Sequence, residues 1–263
     1  MHAHADPFQR PDVGFNNLPG WTWVGCYGGY YLQADLLDAF EHGFFTRRWQ
    51  GRGPEVLASY LSAGVSVHRP QQVHGSRVLS AGQATAAPWP EADGLVSDGG
   101  GQSLWVCGAD CTPVLLADAR RGVVASCHAG WRGVASGILK TAVEKLEAGG
   151  SDPADLLVAL GPAISGGQYQ VERPVSEQVA AGLAEGSTLS QLEQAGALAP
   201  DQQPGRDRLD IRAAARWQLI QLGVKPTQIS TCPLCTLTEV DLFHSWRRDQ
   251  VKAVQWSGIV SQA

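Results

Sequence analysis

Apolar positions in this chain come in short runs, and their spacing changes along its length. Val114-Leu115-Leu116-Ala117 and Gly122-Val123-Val124-Ala125-Ser126-Cys127 are uninterrupted stretches of strand length, which predicts two buried strands. Trp21-Thr22-Trp23-Val24 and Tyr30-Tyr31-Leu32 read as edge strands with Gly28-Gly29 as the turn between them. Residues 41–47 read as a strand ending in a charged turn, residues 69–79 as a strand carrying Val73-His74-Gly75, and residues 156–160 as a further strand. Helical spacing marks residues 54–63, 133–148, 175–184 and 209–222, with Gly149-Gly150 and Gly223 as stops. Residues 98–101 form a flexible break, and the polar, Gly/Pro-rich residues 185–206 predict an exposed excursion. Strands mixed with helices, and no linker between them, imply one α/β domain.

Bulk properties narrow the function classes. The chain has 263 residues, long enough for a sizeable core, and 44% hydrophobic against 17% charged residues argues against long disordered tails. The formal net charge of −5 offers no argument for a nucleic-acid surface, and none is expected. Short basic pairs such as Arg47-Arg48 are large enough to hold one phosphate or carboxylate. No run approaches the length of a membrane span, and Met1-His2-Ala3-His4 lacks a signal-peptide core. The expectation is a cytoplasmic protein, monomer or homodimer, in which the six cysteines are free, metal-bound or catalytic.

The densest chemistry lies between Cys107 and Gly133. Cys107, Asp110, Cys111, Cys127, His128 and Arg132 fall close together around two strand ends, so soft ligands and a positive charge are expected at one sheet edge. His74, Cys111 and His128 together would suit Zn²⁺ with water in a fourth position, although their separations of 37 and 17 residues form no compact motif. Cys111 with His128 would equally serve as a nucleophile pair, and His74 as a hydrogen-bonded core histidine. Neighbours on a strand face opposite ways, so Cys127 is not expected to meet His128. Cys232-Pro233-Leu234-Cys235 has no second CxxC partner and reads as buried residues in a turn. The Gly130-Trp131-Arg132-Gly133 turn, between a strand and a helix, favours an anion gripped by Arg132. Asp110 could orient a ligand or accept a proton.

Several motifs, in order, carry a family resemblance: Gln72-Val73-His74-Gly75-Ser76-Arg77-Val78, Asp93-Gly94-Leu95-Val96-Ser97, Gly108-Ala109-Asp110-Cys111-Thr112-Pro113, His128-Ala129-Gly130-Trp131-Arg132-Gly133 and Phe243-His244-Ser245-Trp246-Arg247-Arg248-Asp249. From about residue 41 onward the chain resembles the YfiH-type proteins, once labelled multicopper polyphenol oxidases or laccases and now described as purine nucleoside phosphorylases. The resemblance implies a single layered α/β domain with mixed sheets, similar in fold to the deamidase domain of cytotoxic necrotising factor. On that reading residues 1–40 are an N-terminal extension packed on a catalytic domain of residues 41–263. It implies zinc held by His74, Cys111 and His128, and purine nucleosides and phosphate as partners. It also implies added adenosine deaminase and methylthioadenosine phosphorylase activities. Arg47, Gln72, Arg132 and Arg247 are the expected substrate or phosphate contacts, with Asp110 and Cys111 as catalytic candidates. Copper fits less well, because laccase chemistry needs about ten histidines and this chain has seven, two of them (His2 and His4) in a terminus expected to be loose. The chain departs from the family at Arg48-Trp49-Gln50-Gly51, where a Gly-Gly-Val-Ser turn is usual, and at Trp246. Two other readings stand beside the phosphorylase: a Cys–His amide hydrolase acting on a peptide or cell-wall precursor, and a non-catalytic zinc-stabilised binding module.

Overall fold

The computed structural model describes residues 18–26, 29–183 and 186–262. His2, His4, Gly28, Ala184 and Glu185 lie outside the described residues. In chain order the strands are β1 (Trp21–Cys26), β2 (Gly29–Ala34), β3 (His42–Phe45), β4 (Ser66–His68), β5 (Val78–Ser80), β6 (Gly94–Val96), β7 (Gln102–Gly108) and β8 (Thr112–Asp118). They continue with β9 (Val123–Ala129), β10 (Leu156–Leu160), β11 (Gln170–Glu172), β12 (Leu198–Pro200), β13 (Arg206–Leu209), β14 (Ile229–Thr231) and β15 (Gln255–Val260). The helices are α1 (Pro54–Leu61), α2 (Trp131–Ala135), α3 (Ile138–Ala148), α4 (Arg173–Leu183), α5 (Leu189–Gln194), α6 (Ile211–Gln221) and α7 (Trp246–Asp249).

Two six-stranded mixed sheets carry the architecture, ordered β1-β2-β3-β15-β7-β4 and β14-β10-β8-β9-β6-β5. A small third sheet, β11-β13-β12, is antiparallel. The alternation along β8 shows how the layers form. Val114 and Leu116 pack with Ile138, Val143, Val179 and Leu219 from the helices. Leu115 and Ala117 face the other way, with Leu32, Phe44, Leu104 and Ile259 of the first sheet. Both faces of β8 are therefore covered, and all its positions are buried, which is why the sequence there is continuously apolar. On the far face of the first sheet Tyr31, Phe45 and Trp105 meet Leu57 and Ala58 of α1. The order is helix, sheet, sheet, helices.

Four expectations need correction. Residues 69–77 form a loop and only Val78–Ser80 is a strand, because the amides of Val73, His74 and Gly75 turn toward one carboxylate and His74 adopts φ 62°. The helix expected over 133–148 is two helices, starting at Trp131 and broken at Gly137, whose φ is 84°. Its first piece is pinned by α4, where Gly182 lies so close to Ala135 that no Cβ fits. The excursion at 185–206 holds α5 and β12 and buries Leu192, Ala197 and Leu198. Thr188 and Gln191 form a capping box there, a signal that the polar composition hid. Finally, β8 and β9 are central strands, so their reactive residues gather at strand ends rather than at a sheet edge. Within residues 18–40, the β1–β2 hairpin extends the first sheet by pairing β2 with β3. No helix among the described residues is long and apolar enough to cross a membrane.

Candidate metal centre

The β8–β9 hairpin turns at Asp118–Val123 and opens at Thr112 and Ala129, which face each other. Pro113 pairs with His128, so His128 shares the inter-sheet face with Leu115, and Cys111 precedes Pro113 by one strand period. Cys127 takes the opposite face, in the core under the helices. The loop of residues 69–77 brings His74 across. Ligand atoms of His74, Cys111 and His128 all lie within 4.8 Å of one another, a group that could hold a metal ion. The two imidazoles sit edge to face, with centroids 4.8 Å apart and planes at 81°. His74 is exposed, Cys111 half-buried and His128 buried.

The loop is held by Asp93, which the sequence marked only as part of a motif. Asp93 is 0% exposed and is fully used. Its carboxylate accepts the backbone N–H groups of Val73, His74 and Gly75 at 3.1, 2.9 and 2.7 Å. Oδ1 also pairs with His128 Nδ1 at 2.9 Å, which leaves Nε2 as the ring nitrogen free for a metal. Three consecutive amides around one anion explain why His74 tolerates a left-handed backbone.

Gly130 makes room for the thiol. A Cβ at this position would lie 2.8 Å from Cys111 Sγ and 3.8 Å from His74 Cδ2. The electrostatics separate Cys111 from its neighbours. Burial would raise its thiol, but hydrogen bonds from His128 and His74 prevail and bring it down to about 6. Burial lowers His128, yet its bonds to Asp93 and Cys111 carry it up to about 9. Burial, the largest influence on each, pushes Cys107, Cys127 and Cys232 up to about 12. Cys127 and Cys232 are fully buried, as the sequence reading of both supposed.

The remaining expected residues divide into two groups. Asp110 (φ 97°) accepts Thr236 Oγ1–H at 2.6 Å and the Arg247 backbone N–H at 2.7 Å, one on each oxygen. Gln72 gives and takes 2.7 Å bonds with the backbone of Cys107. Each side chain thus ties two segments of chain together and keeps bonding capacity to spare, a second N–H on Gln72 and further lone pairs on Asp110. The arginines have groups to spare. Arg132 is exposed and stacks on Trp131 at 4.5 Å. Arg247 is exposed, stacks on Tyr169 at 4.9 Å and donates to Gln170 O at 3.0 Å. Arg47 is half-buried and donates to Val240 O at 2.6 Å. Tyr169, which was not among the expected site residues, lies among Cys111, Asp110, Arg132 and Arg247. Burial and the Cys111 charge push its phenol up to about 12 against the two arginines.

Known proteins resemble this chain in sequence and fold. A family model described as multi-copper polyphenol oxidoreductase laccase matches residues 54–261. A purine nucleoside phosphorylase of Synechocystis is 41% identical over 256 residues, covering 92% of this chain and 97% of its own length. Purine nucleoside phosphorylase YlmD of Geobacillus stearothermophilus is 34% identical over 259 residues, or 95% of this chain and 89% of that one. The crystal structure of YfiH from Bacillus licheniformis aligns with a TM-score of 0.79 at 26% identity, over 91% of this chain and 99% of that chain. With the family model spanning most of the chain and full-length relatives above 30% identity, this protein belongs to the laccase-domain family that includes YfiH and YlmD.

Proposed function

We propose that this chain is a zinc-dependent purine nucleoside phosphorylase, cleaving adenosine, inosine or guanosine with phosphate to the free base and ribose 1-phosphate. The observation that carries the reading is the His74–Cys111–His128 cluster, in a chain 41% identical to a relative named for that activity. The donor set fits zinc: two imidazoles and a low-lying thiol leave a fourth position open. Asp93 on His128 Nδ1 is the outer partner such a site uses, and Gly130 leaves the thiol its space. Held by His74, Cys111 and His128, zinc would supply Lewis-acid chemistry to a substrate oxygen or a water. Multicopper chemistry does not fit, since these three residues are the one such His/Cys/Asp/Glu group among the described residues.

The chain's own residues supply the rest. Phosphorolysis develops positive charge on the ribose as the bond to the base breaks, so the attacking phosphate must be held close by. Arg47, Arg132 and Arg247 are the cations for phosphate or ribose. Asp110 and Cys111 are the catalytic candidates and Gln72 a substrate contact, and the bonds of Asp110 and Gln72 also steady the loops bearing Cys111 and His74. Adenosine deamination and methylthioadenosine phosphorolysis are further activities of the same centre on this reading.

The test is to incubate zinc-loaded protein with adenosine, with and without phosphate. Adenine and ribose 1-phosphate formed only with phosphate support the reading; inosine alone redirects it to deamination. The Cys–His hydrolase reading draws on the Cys111–His128 hydrogen bond. It requires activity without metal and loss on alkylation of Cys111, so zinc-dependent turnover with zinc protecting Cys111 removes it. A binding module would gain thermal stability from zinc and turn over no nucleoside.

A further inference from the structure

One buried imidazole outside the metal centre lacks a partner. His244 is 4% exposed, and Gln255 pairs with its backbone N–H at 2.8 Å and its C=O at 3.3 Å. Its ring Nε2 is shut away from solvent and has no hydrogen-bond partner among the described residues. A buried polar atom left this way marks a place where a partner is missing.

The same imidazole lines a cavity of about 160 Å³ together with Arg47, Gln50, Ser245 and Asp249. The groups there are mostly donors. Arg47 spends one Nη1 bond on Val240 O, which leaves guanidinium N–H groups over. Asp249 is matched by Arg248, whose Nε and Nη2 each reach it at 2.8 Å. The cavity therefore presents the Arg47 guanidinium beside a neutral amide and an imidazole, with the Asp249 carboxylate, bonded to Arg248, also in its lining. Burial and the Arg47 charge hold His244 below the ordinary histidine range, so near neutral pH it offers one N–H without a charge of its own. Gln255, which grips the His244 backbone, also lines a slot of about 10 Å³ that reaches Cys111. Gln255 thus touches both the His244 backbone and the slot at Cys111.

We propose that this cavity is an oxyanion site for inorganic phosphate, with Arg47 and His244 as its donors. The identity of the anion rests on the phosphorolysis reading; the donor-lined cavity does not. Of the three arginines, Arg47 lines a pocket that also holds a buried ring nitrogen without a hydrogen-bond partner among the described residues.

The test titrates inorganic phosphate into the zinc-loaded full chain, by calorimetry and by NMR of the histidine rings. The His244 ring signals should shift with phosphate, and sulfate should compete. His244→Gln and Arg47→Lys should each weaken phosphate binding about tenfold to a hundredfold with zinc content unchanged. Unchanged affinity in both variants would overturn the proposal. So would phosphate that binds without moving the His244 signals, a readout that needs no variant. Phosphate bound at His244 with no base released from any nucleoside upholds this site and defeats the phosphorylase reading. Phosphorolysis with an unaltered phosphate KM in both variants does the reverse.

Discussion

Asp93 joins two of the three ligand residues: Oδ1 meets His128 Nδ1 at 2.9 Å, and the backbone N–H of His74 donates to the same oxygen at 2.9 Å. One carboxylate sets the ring orientation of the first and the backbone of the second.

Asp93→Asn should therefore loosen the metal centre without touching a ligand. The amide has one acceptor oxygen and no charge to share among three N–H groups and an imidazole. Zinc affinity should fall by about 10- to 100-fold, measured by competition with a chromophoric chelator. Unchanged affinity would show that Asp93 serves only the loop.

Gly130→Ala isolates the space beside the thiol. Gly130 has φ −76° and ψ 170°, which alanine adopts freely, so backbone strain plays no part. The added Cβ would lie 2.8 Å from Cys111 Sγ. Zinc affinity should drop by about tenfold or more while secondary structure by circular dichroism is retained. Full zinc binding in this variant would mean that Cys111 has room to move.

Arg132→Ala separates metal from substrate. Arg132 is no ligand and stacks only on Trp131, so zinc content should stay the same. With phosphate held at Arg47 and His244, the loss should show in the nucleoside KM, by about tenfold or more, and leave the phosphate KM unaltered. A raised phosphate KM would move the phosphate site to Arg132.

His42 gives a pH signature far from the metal. Its Nε2 accepts the Ala34 N–H at 2.8 Å, so Nδ1–H donates to Phe40 O at 2.8 Å and the ring is neutral in the fold. Burial lowers its pKa against the pull of those two bonds. The unfolded chain, with a histidine pKa of about 6.5, takes up the proton first. Stability from His42 is therefore full above that value and is lost as pH falls through the lowered folded value. Denaturant midpoints should drop as pH falls below about 6.5, and less steeply in His42→Gln. Equal slopes would clear His42 of the effect.

Much of the site was legible because its residue types are distinctive and strand parity is simple. The apolar runs at 114–117 and 122–127 located β8 and β9, and alternation alone separated Cys127 from His128. What stayed hidden depends on distant partners. Asp93 looks like a turn residue until the loop at 73–75 wraps it. His74 reads as a strand residue because nothing local announces its positive φ. The break at Gly137 sits within a continuous helical pattern and follows from packing against Gly182. Asp110 and Gln72 have side chains suited to catalysis or binding, and nothing in the sequence signals the framework bonds they also make.

The position of β15 carries a lesson about order in time. Residues 255–260 are among the last of the chain, yet in space they lie between β3 and β7, in the interior of the first sheet. During synthesis the earlier strands must wait with two edges unsatisfied, and the face that backs Leu115 and the metal ligands stays open. A chain cut short before Gln255 would lose this closing strand and the side chain that grips His244, so a deletion remote in sequence from His74 and Cys111 should leave the centre unassembled.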